Sequence, residues 1–350
     1  MRAVTSHLRA VLLGTTRVER GSVLMVGGIR AAVVMGLLMT AAVAAGRPSE
    51  AIPLAVGALF VAIAEVGEGV GRRWRTMAWV TLWLMASSLV AALLSDQAWA
   101  VVLASAVVAL LSGFAGAAGP RAALGGVLVL VTFIIVGGAP SMPDEALRIS
   151  LLMGLGGVAM TVVVVLPHVV RDLGAVRVAL GEVPSLPNRL REHLSWQDPF
   201  VRHGVRLSLG IAVASALAFA SGYPHAYWLP MTIAWVTKPD LEGTVSRVAA
   251  RILGTVVGIA ISAVLLIGLD VSGYAAAVVV ALAGGVTVAF IWANYAMGVT
   301  GITVLVIVVF SLDGDSVPED LVVRLVATLI AAAMAVAGSY AWRSSRGPAG

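Results

Sequence analysis

Cysteine is absent from the 350 residues, which excludes disulfides, haem-thiolate centres and zinc-thiolate sites. Charge is scarce as well. Only 12% of residues are charged against 60% hydrophobic, with a mean hydropathy of +1.00, a balance foreign to soluble domains of this length. Lysine occurs once, at Lys238, among 23 basic residues. It does not stand in a G-x-x-x-x-G-K-[ST] context, so the phosphate loop of a nucleotide-driven motor is missing. No carboxylate sits in the middle of an apolar stretch; Glu65 and Glu68 lie at an end. The relay that such a group supplies for proton coupling is therefore not visible, and His225 is the nearest titratable candidate. The five histidines are scattered without metal-ligand spacing, and no nucleophile stands beside a base. No metal or cofactor is expected, and the chain does not read as an enzyme.

What is abundant is apolar sequence in membrane-crossing lengths. A hydrocarbon core of about 30 Å needs roughly 20 apolar residues as a helix. Such stretches recur at 22–46, 49–66, 76–94, 98–116, 121–140, 146–167, 200–221, 225–238, 252–269, 273–292, 295–312 and 321–342. The expected fold is an all-α membrane protein of about twelve transmembrane helices. The first 21 residues are polar and Arg-bearing, and the first apolar run exceeds that of a cleaved signal peptide.

The second six stretches are the first six moved by 176 residues. That offset brings Gly28 onto Gly204, Arg30 onto Arg206, Gly46 onto Gly222, Pro48 onto Pro224, Arg75 onto Arg251, Asp144 onto Asp320 and Arg148 onto Arg324. Six spans per unit is even, so both units enter the membrane in the same orientation, with the pathway expected between them. The expected organisation is a tail at 1–21, repeat 1 at 22–167, a linker at 168–199, repeat 2 at 200–342 and a tail at 343–350. Within the linker, Asp172–Glu182 has the pattern of a short amphipathic helix, and Asp198-Pro199 reads as an N-cap and first helical position.

The net charge of +5 is explained by topology, not by nucleic acid. Arg17 and Arg20 precede the first stretch, Arg72, Arg73 and Arg75 follow the second, and Lys238, Arg247 and Arg251 follow the eighth. The alternate connections carry Asp96, Asp144, Glu145, Asp270, Asp313 and Asp315. The positive-inside rule then places both termini in the cytoplasm.

Several positions admit a functional and a structural reading. Segment 225–238 is bounded by Pro224 and Pro239 and broken by Pro230, and 49–66 contains Pro53. Pro-broken segments at matching positions point to a transporter's binding site, or are packed kinks. Lys238, with Thr232 and Thr237 beside it, is a mobile ammonium at the mouth of an anion path, or a solvated surface residue. Arg30 and Arg206 lie within their spans, and either attract organic anions along a path or snorkel to phosphates. Arg148 and Arg324 each follow an Asp by four residues, the spacing of an intrahelical ion pair. Tyr223, Tyr227 and Trp228 form an interface belt or a stacking surface for an aromatic solute. Gly254 and Gly258 form a GxxxG packing motif.

The second half resembles the fusaric acid resistance-like family of membrane proteins. The resemblance rests on Arg206-Leu-Ser-Leu, on Gly222-Tyr-Pro-His-Ala-Tyr-Trp228 with Thr232, and on Arg247 followed by Arg251-Ile-Leu-Gly254-Thr255-Val-Val-Gly258. Asn294-Tyr295-Ala296 is similar to the family's next signature. The first half keeps Arg75 but has Ala78-Trp79-Val80-Thr81-Leu82 in place of the Gly-Thr-x-x-Gly motif, and Ala51-Ile52 in place of Tyr227-Trp228. The resemblance implies a bacterial inner-membrane protein related to aromatic carboxylic acid exporters and, distantly, to aluminium-activated malate transporters.

The combined expectation is an exporter of organic anions, aromatic carboxylates foremost, with a substrate site drawn from Arg30, Arg206, Tyr227, Trp228, Thr232, Lys238, Arg251, Asn294 and Tyr295. The rivals are a passive anion channel and a non-transporting scaffold for an envelope enzyme. The expected partners are a small organic anion, the lipid bilayer and, optionally, further copies of the chain in a homo-oligomer, with no nucleic acid.

Overall fold

The computed structural model describes residues 15–65, 70–139, 142, 145–171, 190–312, 314 and 316–341. The amphipathic stretch expected at 172–182 and the Asp144–Arg148 pair lie partly or wholly outside them. Among the described residues every regular element is helical. In chain order these are α1 (Met25–Ala44), α2 (Ala51–Ile63), α3 (Val70–Leu94), α4 (Ala98–Phe114), α5 (Pro120–Gly137), α6 (Glu145–Arg171), α7 (Pro199–Ser221), α8 (Trp228–Val236), α9 (Leu241–Ala263), α10 (Gly273–Phe290), α11 (Tyr295–Ser311) and α12 (Val317–Ala341).

Nine helices among the described residues are long and apolar enough to cross a membrane. The chain is a multi-pass membrane protein by that measure. Helices α2, α8 and α11 are shorter, and their burial explains why. All nine residues of α8 are buried, as are ten of the thirteen in α2 and twelve of the seventeen in α11. These three sit inside the bundle, where protein replaces lipid. The longer helices turn Leu37, Trp79, Trp83, Leu103 and Leu209 outward, as expected of faces that meet lipid.

Local signals act as their chemistry requires. Asp198 caps α7, its carboxylate accepting from the Phe200 amide at 2.8 Å with Pro199 at the first helical position. Asp240 caps α9 by accepting from the Gly243 amide. Pro230 falls in the first turn of α8, where its missing amide hydrogen leaves no broken helical bond. The short α8 is thus set by Gly222 and Pro224 before it and by Pro239 and the Asp240 cap after it.

Packing follows one scheme in both halves. Helix α1 lies along α2 and α7 along α8; α2 packs on α6 and α8 on α12; α3 packs on α5 and α6, and α9 on α11 and α12. Between the halves α1 pairs with α10, and α4 pairs with α7. Small residues permit this closeness. A Cβ on Gly57 would stand 2.0 Å from the Met153 carbonyl oxygen, and one on Gly254 would stand 2.4 Å from that of Ala296. The GxxxG pair seats α9 against α11, with Thr303 opposite Gly258 and the Thr300 hydroxyl donating to the Gly254 carbonyl at 3.2 Å.

Gly57→Ala and Gly254→Ala should each destabilise the bundle by about 1–3 kcal/mol through overpacking. Thermal unfolding in detergent should fall for both and stay unchanged for Gly125→Ala, where a Cβ meets nothing within 4 Å. Equal midpoints for all three would refute the packing account.

Candidate functional site

Arg251 and Arg324 are the least expected residues in the bundle. They are 1% and 0% exposed, and none of their six guanidinium nitrogens has a hydrogen-bond partner among the described residues. Arg251 stands one turn before Gly254 and two before Gly258, on the α9 face that meets α11. The glycines that bring these helices together therefore also draw Arg251 out of contact with lipid and water. Arg324 lies on α12, where its guanidinium sits 5.0 Å from the centre of the Trp228 ring. Arg251, Tyr227 and Tyr295 are its electrostatic neighbours. The buried hydroxyls of Thr232, Thr255, Thr303 and Tyr295 also lack hydrogen-bond partners among the described residues.

Burying a charge without a counter-charge costs several kcal/mol, and two like charges raise that cost. The cation–π contact with Trp228 offsets about 2 kcal/mol at most. Such a cluster matches the chemistry of a carboxylate, a planar acceptor for guanidinium forks. Trp228 and Tyr227 supply aromatic surface beside it.

Cavities lie at both ends of α8. At the 222–227 end a cavity of about 450 Å³ is lined by Ser105, Ser215, Tyr223, His225, Tyr227 and Pro230, contributed by both halves. A second, of about 230 Å³, reaches Glu50, Arg148, Tyr227 and Phe310. At the other end, cavities of about 260 and 600 Å³ share Lys238 and Arg247. Trp228, Phe310 and Trp235 stand between, with Trp235 edge-on to Phe60 of α2 at 6.3 Å.

The expected site residues divide. Tyr227, Trp228, Arg251 and Tyr295 lie at the buried cluster, and Thr232 is buried one turn along α8 from Trp228. Tyr223, in contrast to Tyr227 and Trp228, is 65% exposed and keeps an interface position. Lys238 lines the two cavities at the Arg247 end. Arg30 is held elsewhere, donating to Glu65 at 3.0 Å while Arg73 donates to the same oxygen at 2.9 Å. Arg206 donates to the Lys238 carbonyl and so ties α7 to the end of α8. Asn294 is a clamp: its amide donates to the carbonyls of Thr15 and Arg17 at 2.9 and 3.0 Å, and its oxygen accepts from Met297.

The expected Asp320–Arg324 pair is not made. Asp320 Oδ1 instead lies 2.8 Å from His225 Nδ1, a partner on a different element. This leaves Arg324 in the cluster, a role that its helical spacing concealed. The positions 176 residues earlier behave differently. Arg75 is half-buried over the Trp74 ring, and Arg148 is 52% exposed and paired with Glu50, whose carboxyl it holds below the usual range.

Comparison with known proteins adds identity to this geometry. Residues 211–338 match the family model described as fusaric acid resistance protein-like. The inner membrane protein YccS of Escherichia coli is 35% identical over 160 residues, 44% of this chain and 21% of that protein. An uncharacterized protein, slr1298, of Synechocystis is 31% identical over 168 residues, 47% of this chain and 22% of its own length. The uncharacterized ORF2 protein of Neisseria gonorrhoeae is 32% identical over 179 residues, covering 49% and 42%. The chain thus spans less than half the length of these relatives. No solved structure matches the chain.

Replacing an uncompensated buried arginine by an apolar residue of similar length should stabilise the fold. Arg251→Met and Arg324→Met should each raise the thermal midpoint in detergent, by about 1 kcal/mol or more in stability. Arg148→Met should not. A lowered midpoint for both buried variants would mean that their charges are structurally compensated.

Proposed function

We propose that this chain, which matches the fusaric acid resistance protein-like family over residues 211–338, is an inner-membrane transporter of organic anions that exports aromatic carboxylates. The location follows its likeness to an inner membrane protein of Escherichia coli and its nine crossing-length helices. The single observation that carries the substrate class is the pair of buried guanidiniums of Arg251 and Arg324, which have no hydrogen-bond partner among the described residues. Two fixed positive charges repel cations and attract carboxylates. The adjoining Tyr227 and Trp228 rings favour an aromatic body over a short aliphatic one.

The twelve helices are read as two parallel six-helix repeats, 22–167 and 200–342, joined by the linker 168–199. Matching helix pairings in the two halves and the reciprocal α1–α10 and α4–α7 contacts support that reading. In it, the cavities at the Lys238 end open to the cytoplasm and those at the 222–227 end to the far side. The aromatic block around Trp228 separates them, which favours alternating access over an open channel. Lys238, Arg247 and Arg206 raise the positive potential at the cytoplasmic mouth, Arg30 is a strut, and the second half carries the chemistry.

Reconstitution into proteoliposomes tests this. Wild-type protein should move benzoate and should not move benzylamine. Arg324→Ala and Arg251→Ala should each lower benzoate flux by about tenfold or more, the loss of one charge-assisted contact. Arg148→Ala should retain wild-type flux. Equal flux in all four proteins would refute the site, and no flux of any organic anion would refute the function.

A further inference from the structure

We propose that His225 and Asp320 form a proton-binding site whose occupancy governs anion binding by Arg251 and Arg324; this rests on the anion-transport reading above and makes its anion site responsive to pH. The pair is built with care. His225 takes a left-handed backbone conformation, φ +56°, which is strained for a residue with a Cβ and persists where surrounding contacts enforce it. Its ring stacks on Phe310 at 4.3 Å and on Trp228 at 5.0 Å, with interplanar angles of 24° and 19°. Nδ1 shares a hydrogen bond with Asp320 Oδ1. The imidazole is 13% exposed and lines the 450 Å³ cavity at its end of α8, while Asp320 is 4% exposed. A proton therefore reaches the histidine from the cavity, and the carboxylate lies behind it.

Behind the carboxylate lies the anion site. Asp320 Oδ2 is buried and has no hydrogen-bond partner among the described residues. Arg324 is one helical turn further along α12, on the same face, without an ion pair to Asp320. The line runs from cavity to His225, Asp320, Arg324 and Arg251. Tyr227 has its ring 5.7 Å from the imidazole, and Phe310 and Trp228 carry no charge. Across the second cavity Glu50, Glu145 and Arg148 look toward Tyr227 and Phe310, with Glu50 and Arg148 already paired to each other.

The sign of the coupling follows from charge. With His225 neutral and Asp320 ionised, the pair carries one negative charge a single turn from Arg324, which lowers the positive potential that draws a substrate carboxylate. One added proton makes the pair neutral overall, as imidazolium and carboxylate, and leaves both guanidiniums to the anion. Anion affinity is therefore higher when the pair holds the added proton and lower when it has released it. By reciprocity, binding an anion draws a proton onto the pair.

The experiment uses the full chain in lipid nanodiscs, with benzoate as the probe because it stays ionised across the range. Titration calorimetry in buffers of different ionisation enthalpy reports affinity and proton uptake together. Wild type should bind benzoate roughly 5- to 150-fold more tightly at about pH 5.5 than at about pH 8, with close to one proton taken up per benzoate. Asp320→Asn and His225→Gln should still bind benzoate but lose the pH dependence and the uptake. A merely structural pair would weaken binding equally at both pH values and leave the slope intact, which overturns the proposal. Should Asp320→Asn fail to fold, His225→Gln, which keeps a hydrogen-bond donor beside Asp320, decides by the same slope. Binding that Arg324→Ala abolishes but that is flat with pH in wild type overturns the proton site alone. Absence of benzoate binding by wild type at either pH overturns the anion reading as well.

Discussion

Close approach of helix backbones, made possible by glycine, is the constraint on which this bundle rests. Lipid tails are as apolar as leucine, so burial of leucine against leucine drives little association inside a membrane. Contact has to come from surfaces that fit. Gly57 against Met153, Gly156 against Leu54 and Gly254 against Ala296 are such fits, each leaving no room for a methyl group. They pull α2 onto α6 and α9 onto α11, and with those helices seated the short α8 is enclosed along its whole length.

Enclosure is what gives the polar chemistry its force. Arg251 sits on the glycine face of α9, so the packing that holds the helices together also removes its charge from water. The same substitution pattern is missing from α3, where Ala78 and Leu82 stand at the equivalent spacing and Arg75 stays half-buried over Trp74. Arg148 likewise reaches solvent and a glutamate, whereas Arg324 reaches neither. The asymmetry of the two halves is thus an asymmetry of desolvation. The arginines are present in both; in the second they have no hydrogen-bond partner among the described residues.

A helix that begins and ends within the bundle leaves irregular backbone at depth, tolerated where protein or a cavity surrounds it. The 222–227 turn and the 237–240 loop occupy those places. One presents His225 to a cavity and the other presents Lys238. Side chains on such breaks are positioned by backbone geometry instead of by a helical face, which suits groups that must meet a solute. Arg206 braces one break by donating to the Lys238 carbonyl, and His225 braces the other through Asp320.

Much of this was determined by sequence alone. Apolar length and scarcity of charge established the membrane class, and the helix boundaries followed Gly, Pro and Asp signals near Gly222, Pro239 and Asp240. The prominence of Tyr227, Trp228, Thr232 and Arg251 was legible because their types and spacing are unusual in an apolar chain. What only the tertiary structure decided was who pairs with whom. Arg324 read as half of a local ion pair because Asp320 lies four residues before it; His225, 95 positions away in sequence, takes that carboxylate instead. Asn294, counted by sequence among the site residues, ties down residues 15–17, and Arg30, placed by sequence within its span, shares Glu65 with Arg73. Periodicity is a property of neighbours along a chain, whereas the counter-charge of a buried residue is chosen across space.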